Sequence, residues 1–445
     1  MKKVLLLVFI SCLTFAFIAC GQDAAPADTA NGDAAAADGE ETVIHWLCSS
    51  AEDESWVQGV LHLADLFAET NPGFSLVYEN ATDQAARSQR IRIAAAADAL
   101  PEWISTDSDP FMQGVAQRGD IVNIKELLEE LDATDRFYDI AFKFNAFDDG
   151  SLYFFSFITV MEYFWIRPSH FEAAGICKDD IITFDDFNAA LQSLQDAGFH
   201  ALGMCNSEWY VQRFVAMVPF RLTGNGFIDE LKFGDAYMSD AIGMESAEWL
   251  ASLTPFLMDG WAANDHSAMV EAFFAGNSSI MYFGTWDPTT FIEDGELKYD
   301  VDYFWLPVLG GGRDINQPTD GFANSGTGTA FSTAGMNDVH KEFIAFLIDN
   351  LPDAAVEFGF LPSVIPTDEQ IAAMPPAFQS ILADVLNVSD FSTAWDINVD
   401  PVTYQALGRE TVNLLLGQIT PEEFTAAIDY AVQNNARAFW DSLED

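Results

Sequence analysis

Between Val43 and Ser105 the chain reads strand, helix, strand, helix, strand in about sixty residues. Val43-Ile44-His45-Trp46-Leu47 is an apolar run suited to a buried strand. Trp56, Val60, Leu61, Ala64 and Phe67 then recur at helical spacing until Asn71-Pro72-Gly73 breaks the pattern. Phe74, Leu76 and Tyr78 alternate as a strand does, Ala85 to Ala97 predicts a helix, and Pro101-Glu102-Trp103-Ile104-Ser105 predicts a third strand. Strands joined by helix-length connections are parallel neighbours, and their sheet needs helices over its faces. The chain is therefore α/β from its start.

At 445 residues it exceeds what one core organises, so two lobes are expected. Half of it is hydrophobic, which fits a folding chain. The apolar run from Tyr153 to Ile166 is too short for a membrane span and contains Glu162; it predicts a strand leaving one lobe and entering the next. Tyr303-Phe304-Trp305-Leu306-Pro307 predicts a second such passage. At the C-terminus Thr420, Pro421 and Glu423 form a helix start with a capping box, and Phe424, Ala427, Ile428, Ala431, Val432, Ala438 and Phe439 share one face. No internal repeat is present.

Lys2 and Lys3 precede an apolar run from Val4 to Ala19, the form of an export signal. Phe17-Ile18-Ala19-Cys20 resembles a bacterial lipobox, with Phe17 where Leu is usual, so Cys20 is the expected lipidation site. Residues 21–41, mostly Ala, Asp and Gly, make a flexible spacer. With 69 acidic against 19 basic residues the net charge is −50, which repels nucleic acid and anionic headgroups. Acids scattered along the whole chain suit a solvated surface, and they also leave a cationic ligand open. Cys48, Cys177 and Cys205 lack the spacing of a zinc or redox motif; buried thiols are expected, one disulfide being the alternative.

Catalytic signatures are missing. There is no Gly-x-Ser-x-Gly elbow, His-Glu-x-x-His pair, phosphate loop or complete calcium loop, and the six histidines lie far apart. Neither metal nor cofactor is expected. Gly310-Gly311-Gly312-Arg313 suits a surface turn better than an anion cradle. Among 69 acids, carboxylate pairs of the kind used in glycoside hydrolysis arise by chance.

The stretch Glu271 to Pro288 predicts a helix ending at Gly276, a buried strand from Ile280 to Phe283, and a turn presenting Trp286. Phe273 or Phe274, Gly276, Ser279-Ile280-Met281, Gly284 and Trp286 resemble a phrase common in the extracellular solute-binding proteins of ATP-driven importers, in the large family that mostly binds sugars. In the same order come Phe67 to Gly73, Ala96 to Trp103, Asp149-Gly150-Ser151-Leu152-Tyr153, Phe171 to Ile176 and Thr183 to Phe187. The resemblance covers residues 42–445. Ile166-Arg167-Pro168-Ser169 departs from the family's usual Tyr-Asn-Lys-Asp, which bears on the ligand more than on the fold.

The resemblance implies a periplasmic-binding-protein-like α/β fold of two discontinuous lobes, each with a mostly parallel sheet flanked by helices, and a cleft between them. Residues 1–19 would be the signal, 20–41 the anchored linker, 42–158 plus 307–349 one lobe, and 159–306 plus 350–445 the other. Ligand sits at strand ends near the crossings. Candidates are Asp53, with Ser49, Ser50 and Glu52 beside it; Asp107, with Asp109 as a helix cap; Glu162, placed at the cleft or buried beside Arg167; and Trp209, Trp286, Asp287, Asp320 and Trp395. Trp46, Trp103 and Trp305 are expected in the core. The implied function is capture of a mono- or oligosaccharide, by a monomer held to the membrane through its N-terminal lipid alone, and delivery to permease subunits. Alternatives are a polyamine or other cationic solute, a glycan hydrolase, and a sensor or adhesin.

Overall fold

The computed structural model describes residues 41–445 except 82, 83, 148 and 445. The export signal, the spacer and Cys20 lie outside the described residues.

Strand β1 (Thr42–Cys48) lies inside the first sheet. It pairs in parallel with β2 (Phe74–Asn80), from Thr42↔Phe74 to Cys48↔Asn80, and with β3 (Trp103–Thr106) through Trp46↔Trp103 and Leu47↔Ile104. The helices Ser55–Thr70 and Gln84–Ala96 make the connections. The first buries Trp56, Val57, Val60, Leu63, Ala64 and Phe67 as one stripe and stops at Asn71, whose N–H closes back on Phe67 and Ala68. Alternation along β1 serves both faces: Trp46 packs edge-on against Trp56 and Trp103, while Leu47 joins Ile91, Ile104, Met112 and Val115 on the other side.

From Phe155 and Ile158, each held by a single bridge, the chain passes into β4 (Val160–Ile166), buried along its whole length. β4 pairs with β5 (Ile280–Gly284); a small hairpin, β6 (Ile292–Glu293) and β7 (Glu296–Leu297), follows; β8 (Asp302–Phe304) takes the other edge. β9 (Ala323–Asn324) also pairs with β4, and β10 (Gly328–Phe331) returns to the first sheet beside β3.

Two expectations change here. The named pairings of the second sheet are antiparallel, because β4 enters from the first sheet while β5 and β8 run back toward that entrance; parallel pairing is confined to bridges such as Leu202↔Ile280 and Thr183↔Val308. Tyr303 and Phe304 stay in this sheet as β8, β9 still pairs with β4, and the chain regains the first sheet only at β10.

The helix Pro421–Glu444 has its capping box: Thr420 N–H donates to Glu423 Oε2 (2.9 Å) and Glu423 N–H to Thr420 Oγ1 (3.2 Å). Phe424, Ile428, Ala431 and Val432 are buried; Ala436 continues the stripe, and Ala438 is exposed. The glycine turn at 310–312 has positive φ at each residue, and Arg313 grips Glu245 with both its oxygens at 2.8 and 2.6 Å. Cys48 and Cys205 are buried free thiols, and Cys177 is an exposed one.

Candidate functional site

β4 begins where β5 ends, with Glu162 opposite Gly284. The chain leaving β5 turns immediately and lays Trp286 over Gly284, where an added Cβ would lie 2.8 Å from the indole. Glycine is required by that close approach. Trp286 stands edge-on to Phe283 (4.8 Å) and to Trp209 (5.3 Å, 82°), which opens the helix Glu208–Thr223. Both tryptophans are half-buried, with aromatic surface left to offer.

One turn after Trp209, on the same helix face, comes Arg213. Its guanidinium lies 5.8 Å from the Trp209 ring, donates through Nε to Glu162 Oε1 (3.3 Å) and through Nη1 to Asp396. Asn324 Nδ2 adds a bond to the same Glu162 oxygen at 2.8 Å. Burial pushes the Glu162 and Asp396 carboxyls up, with Arg213 pulling against it. Burial also opposes the charge on Arg213, but Asp396 and Glu162 outweigh it and hold the guanidinium above its ordinary range.

The first sheet supplies the facing groups from the ends of β1 and β3. Arg87, buried, donates to Ser49 Oγ (2.9 Å) and Asp107 Oδ2 (2.7 Å), and the charge on Asp107 reaches Asp396. Glu54 accepts from Ala51 N–H and Trp56 Nε1, both at 2.9 Å; burial raises its carboxyl, and Asp287 raises it further. Ser55 Oγ donates to Asp287 Oδ1 across 232 residues of sequence at 2.9 Å. Tyr404, half-buried, has its phenol raised by burial and then by Glu208. The ensemble offers aromatic faces and hydrogen-bonding groups. Among the described residues, no cluster of three or more His, Cys, Asp or Glu is placed to hold a metal.

Asp107, Glu162, Trp209, Trp286 and Asp287 are thus brought together. Asp53 is exposed in the loop after β1. Glu162 is paired with Arg213; Arg167, named beside it from sequence, instead binds Asp300 at 2.7 Å. Asp109 caps its helix through Met112 N–H (2.9 Å). Asp320 lies apart and is 1 % exposed, its carboxylate taken by Gln317 N–H, Ser389 N–H and Oγ, and Asp390 N–H at 2.7–3.0 Å. Trp395 is buried against Phe227, and its neighbour Asp396 is the group that reaches Arg213. Arg87, Arg213, Asp396 and Tyr404 were missed. The usable signal was an arginine inside the apolar helix around Val211 to Phe220.

Trp46 and Trp103 are core residues as expected, but Trp305 is half-buried beyond the end of β8. It lines a separate hollow of about 780 Å³ with Tyr303, Ser380 and Asp384, none of which belongs to the Trp209–Trp286 site. The Asp384 carboxylate there is bonded by Tyr163 (2.8 Å) and Tyr303 (3.3 Å).

Solved structures share the fold. A chitin oligosaccharide binding protein superposes with a TM-score of 0.75 at 19% identity, over 90% of this chain and 100% of its own. The GacH receptor of Streptomyces glaucescens, with structures unliganded and in complex with acarbose, gives 0.67 at 15%, over 89% and 98%. The solute-binding protein RafE in complex with raffinose gives 0.64 at 14%, over 91% and 100%. No curated protein sequence matches the chain. Residues 62–351 match the model of the bacterial extracellular solute-binding proteins, and this two-sheet α/β chain belongs to that family.

Proposed function

We propose that this protein captures a carbohydrate, a mono- or oligosaccharide, and delivers it to the permease of an ATP-driven importer without making or breaking a bond. The observation that carries the reading is the Trp209–Trp286 pair set beside the Glu162–Arg213–Asp396 network. Indole faces suit the C–H surfaces of a pyranose, and fixed carboxylate and guanidinium groups suit its hydroxyls. The sugars named for the similar structures are consistent with it.

In this reading residues 42–158 plus 307–349 and 159–306 plus 350–445 act as two lobes that close on the solute through contacts made only when they meet. The Ser55–Asp287 bond joins residues of the two. Cys20 carries lipid, and the spacer keeps a monomeric receptor close to its permease. No helix among the described residues is long and apolar enough to cross a membrane.

A thermal-shift panel of saccharides and polyamines tests the reading, because a solute bound by the folded state raises the melting temperature. Trp286→Ala should weaken saccharide binding by about 2 kcal/mol with the unliganded circular dichroism unchanged. A panel in which no saccharide shifts the transition overturns the assignment.

A further inference from the structure

The hollow around Trp305 lies on the other side of β4 from the Trp209–Trp286 site. Glu162 and Tyr163 are neighbours on that strand and so take opposite faces of the second sheet. Glu162 meets Arg213 of the Glu208–Thr223 helix on one face, while Tyr163 meets Asp384 of the Pro376–Asn387 helix on the other. Tyr303 and Trp305 pack on the Tyr163 side, their rings 4.3 and 5.6 Å from it. The space beside them, about 780 Å³, is far larger than the voids of a close-packed interior and has the size of a small-molecule site.

Its wall leaves aromatic and polar groups unused. Tyr303 and Trp305 are both half-buried. The Trp305 Nε1, a donor only, has no hydrogen-bond partner among the described residues. Nor has Asp384 Oδ1, because the Tyr163 and Tyr303 hydroxyls both go to Oδ2. The Ser380 hydroxyl stands 3.4 Å from that of Tyr303. Lys178, the cation of the wall, is already taken by Asp302 Oδ2 (2.6 Å) and the Tyr303 carbonyl (3.3 Å).

We infer that this hollow is a second solute site and that its ligand is a neutral saccharide. The occupant has to cover aromatic surface, accept from an indole N–H and donate to a carboxylate. A sugar ring does all three, with its C–H face and with hydroxyls that both donate and accept. An ammonium has no acceptor to give the indole. An anion would meet Asp384, Asp179 and Glu296 with no free cation to answer them. A purely apolar occupant would strip water from Asp384 and replace it with nothing. The inference stands on the hollow's own residues and does not require the Trp209–Trp286 site to bind sugar.

The test is saturation-transfer NMR on the full chain, with neutral trisaccharides of glucose, xylose and N-acetylglucosamine and with indole as an apolar probe. Ser380→Trp, at an exposed residue of the wall, fills the hollow without touching the core, and Trp305→Ala removes its indole face. At least one trisaccharide should keep its signal in Trp286→Ala and lose affinity at least about tenfold in both hollow variants, with the melting temperature of Ser380→Trp unchanged. Saccharide signals that vanish in Trp286→Ala and are untouched by Ser380→Trp overturn the second site and leave the first standing. Indole binding that Ser380→Trp abolishes, with no trisaccharide behaving alike, overturns the ligand class. Silence from all three trisaccharides overturns the inference as well, and the capture reading is then decided by the wider thermal-shift panel.

Discussion

Arg213 is the residue whose loss this protein should tolerate least. Its single guanidinium, 6 % exposed, serves two carboxylates, Glu162 and Asp396. Arg213→Met keeps an unbranched apolar stem and removes the charge. Glu162 then retains the bond from Asn324 Nδ2 at 2.8 Å, and Asp396 is left facing the field of Asp107. Breaking a buried ion pair by removing one partner costs about 3–5 kcal/mol, and stranding two carboxylates places this case at the upper end.

Proton uptake limits the damage. Burial already raises both carboxyls above their ordinary values of 4.5 and 3.8, and Arg213 is the main force opposing it, so both rise further in the variant. An acid with a raised folded-state pKa binds its proton better when folded. Stability therefore falls as pH climbs from the ordinary value through the raised one. Urea denaturation followed by tryptophan fluorescence should show the variant's full deficit at neutral pH and a clearly smaller one near 4.5. Adding Glu162→Gln and Asp396→Asn should restore most of the neutral-pH loss. A deficit below about 1 kcal/mol at neutral pH, or one of equal size at both pH values, would refute the argument that the network is buried and charged.

Gly284→Ala puts a methyl 2.8 Å from the Trp286 indole, so the ring must move; saccharide affinity, read by calorimetry, should drop several-fold while the melting temperature changes little. His340 is fully buried, accepts from Trp103 Nε1, and is held down to about 4 by burial. Its stabilising contribution is complete above the ordinary 6.5 and is lost as pH falls from there toward 4, a span worth about 3 kcal/mol. His340→Gln should flatten the stability profile across that window, and an unchanged slope would count against it. In native protein, thiol labelling mapped by mass spectrometry should mark Cys177 and spare Cys48 and Cys205, the latter pushed up to about 11 by burial. Equal labelling of all three would place the buried pair wrongly.

The legible parts of this molecule are those written within one or two helical turns. The alternation of Phe74, Leu76 and Tyr78, the stop at Asn71, the Thr420–Glu423 box and the Gly284–Trp286 turn each depend on neighbours a few residues away, and each is present. Trp286 was nameable because the family phrase carried it, and Trp209 because the resemblance implied an aromatic contact in its region. Asp320 shows the opposite case. From sequence it is a candidate ligand contact, yet here it is buried as an acceptor for the backbone near Ser389.

By itself, then, the sequence determined the element types, the α/β class, the helix caps and the turn that presents Trp286, since backbone sterics and apolar period act over short stretches. Only the tertiary structure decided which charges meet. Glu162, Arg213 and Asp396 lie 51 and 183 residues apart, and Ser55 and Asp287 lie 232 apart. Their pairing follows from how β4, β5 and the Glu208–Thr223 helix are laid together, and no local pattern encodes that. The same assembly turned β5 and β8 against β4 and moved the return to the first sheet to β10. Strand direction depends on where a strand enters its sheet, a property of the whole path of the chain.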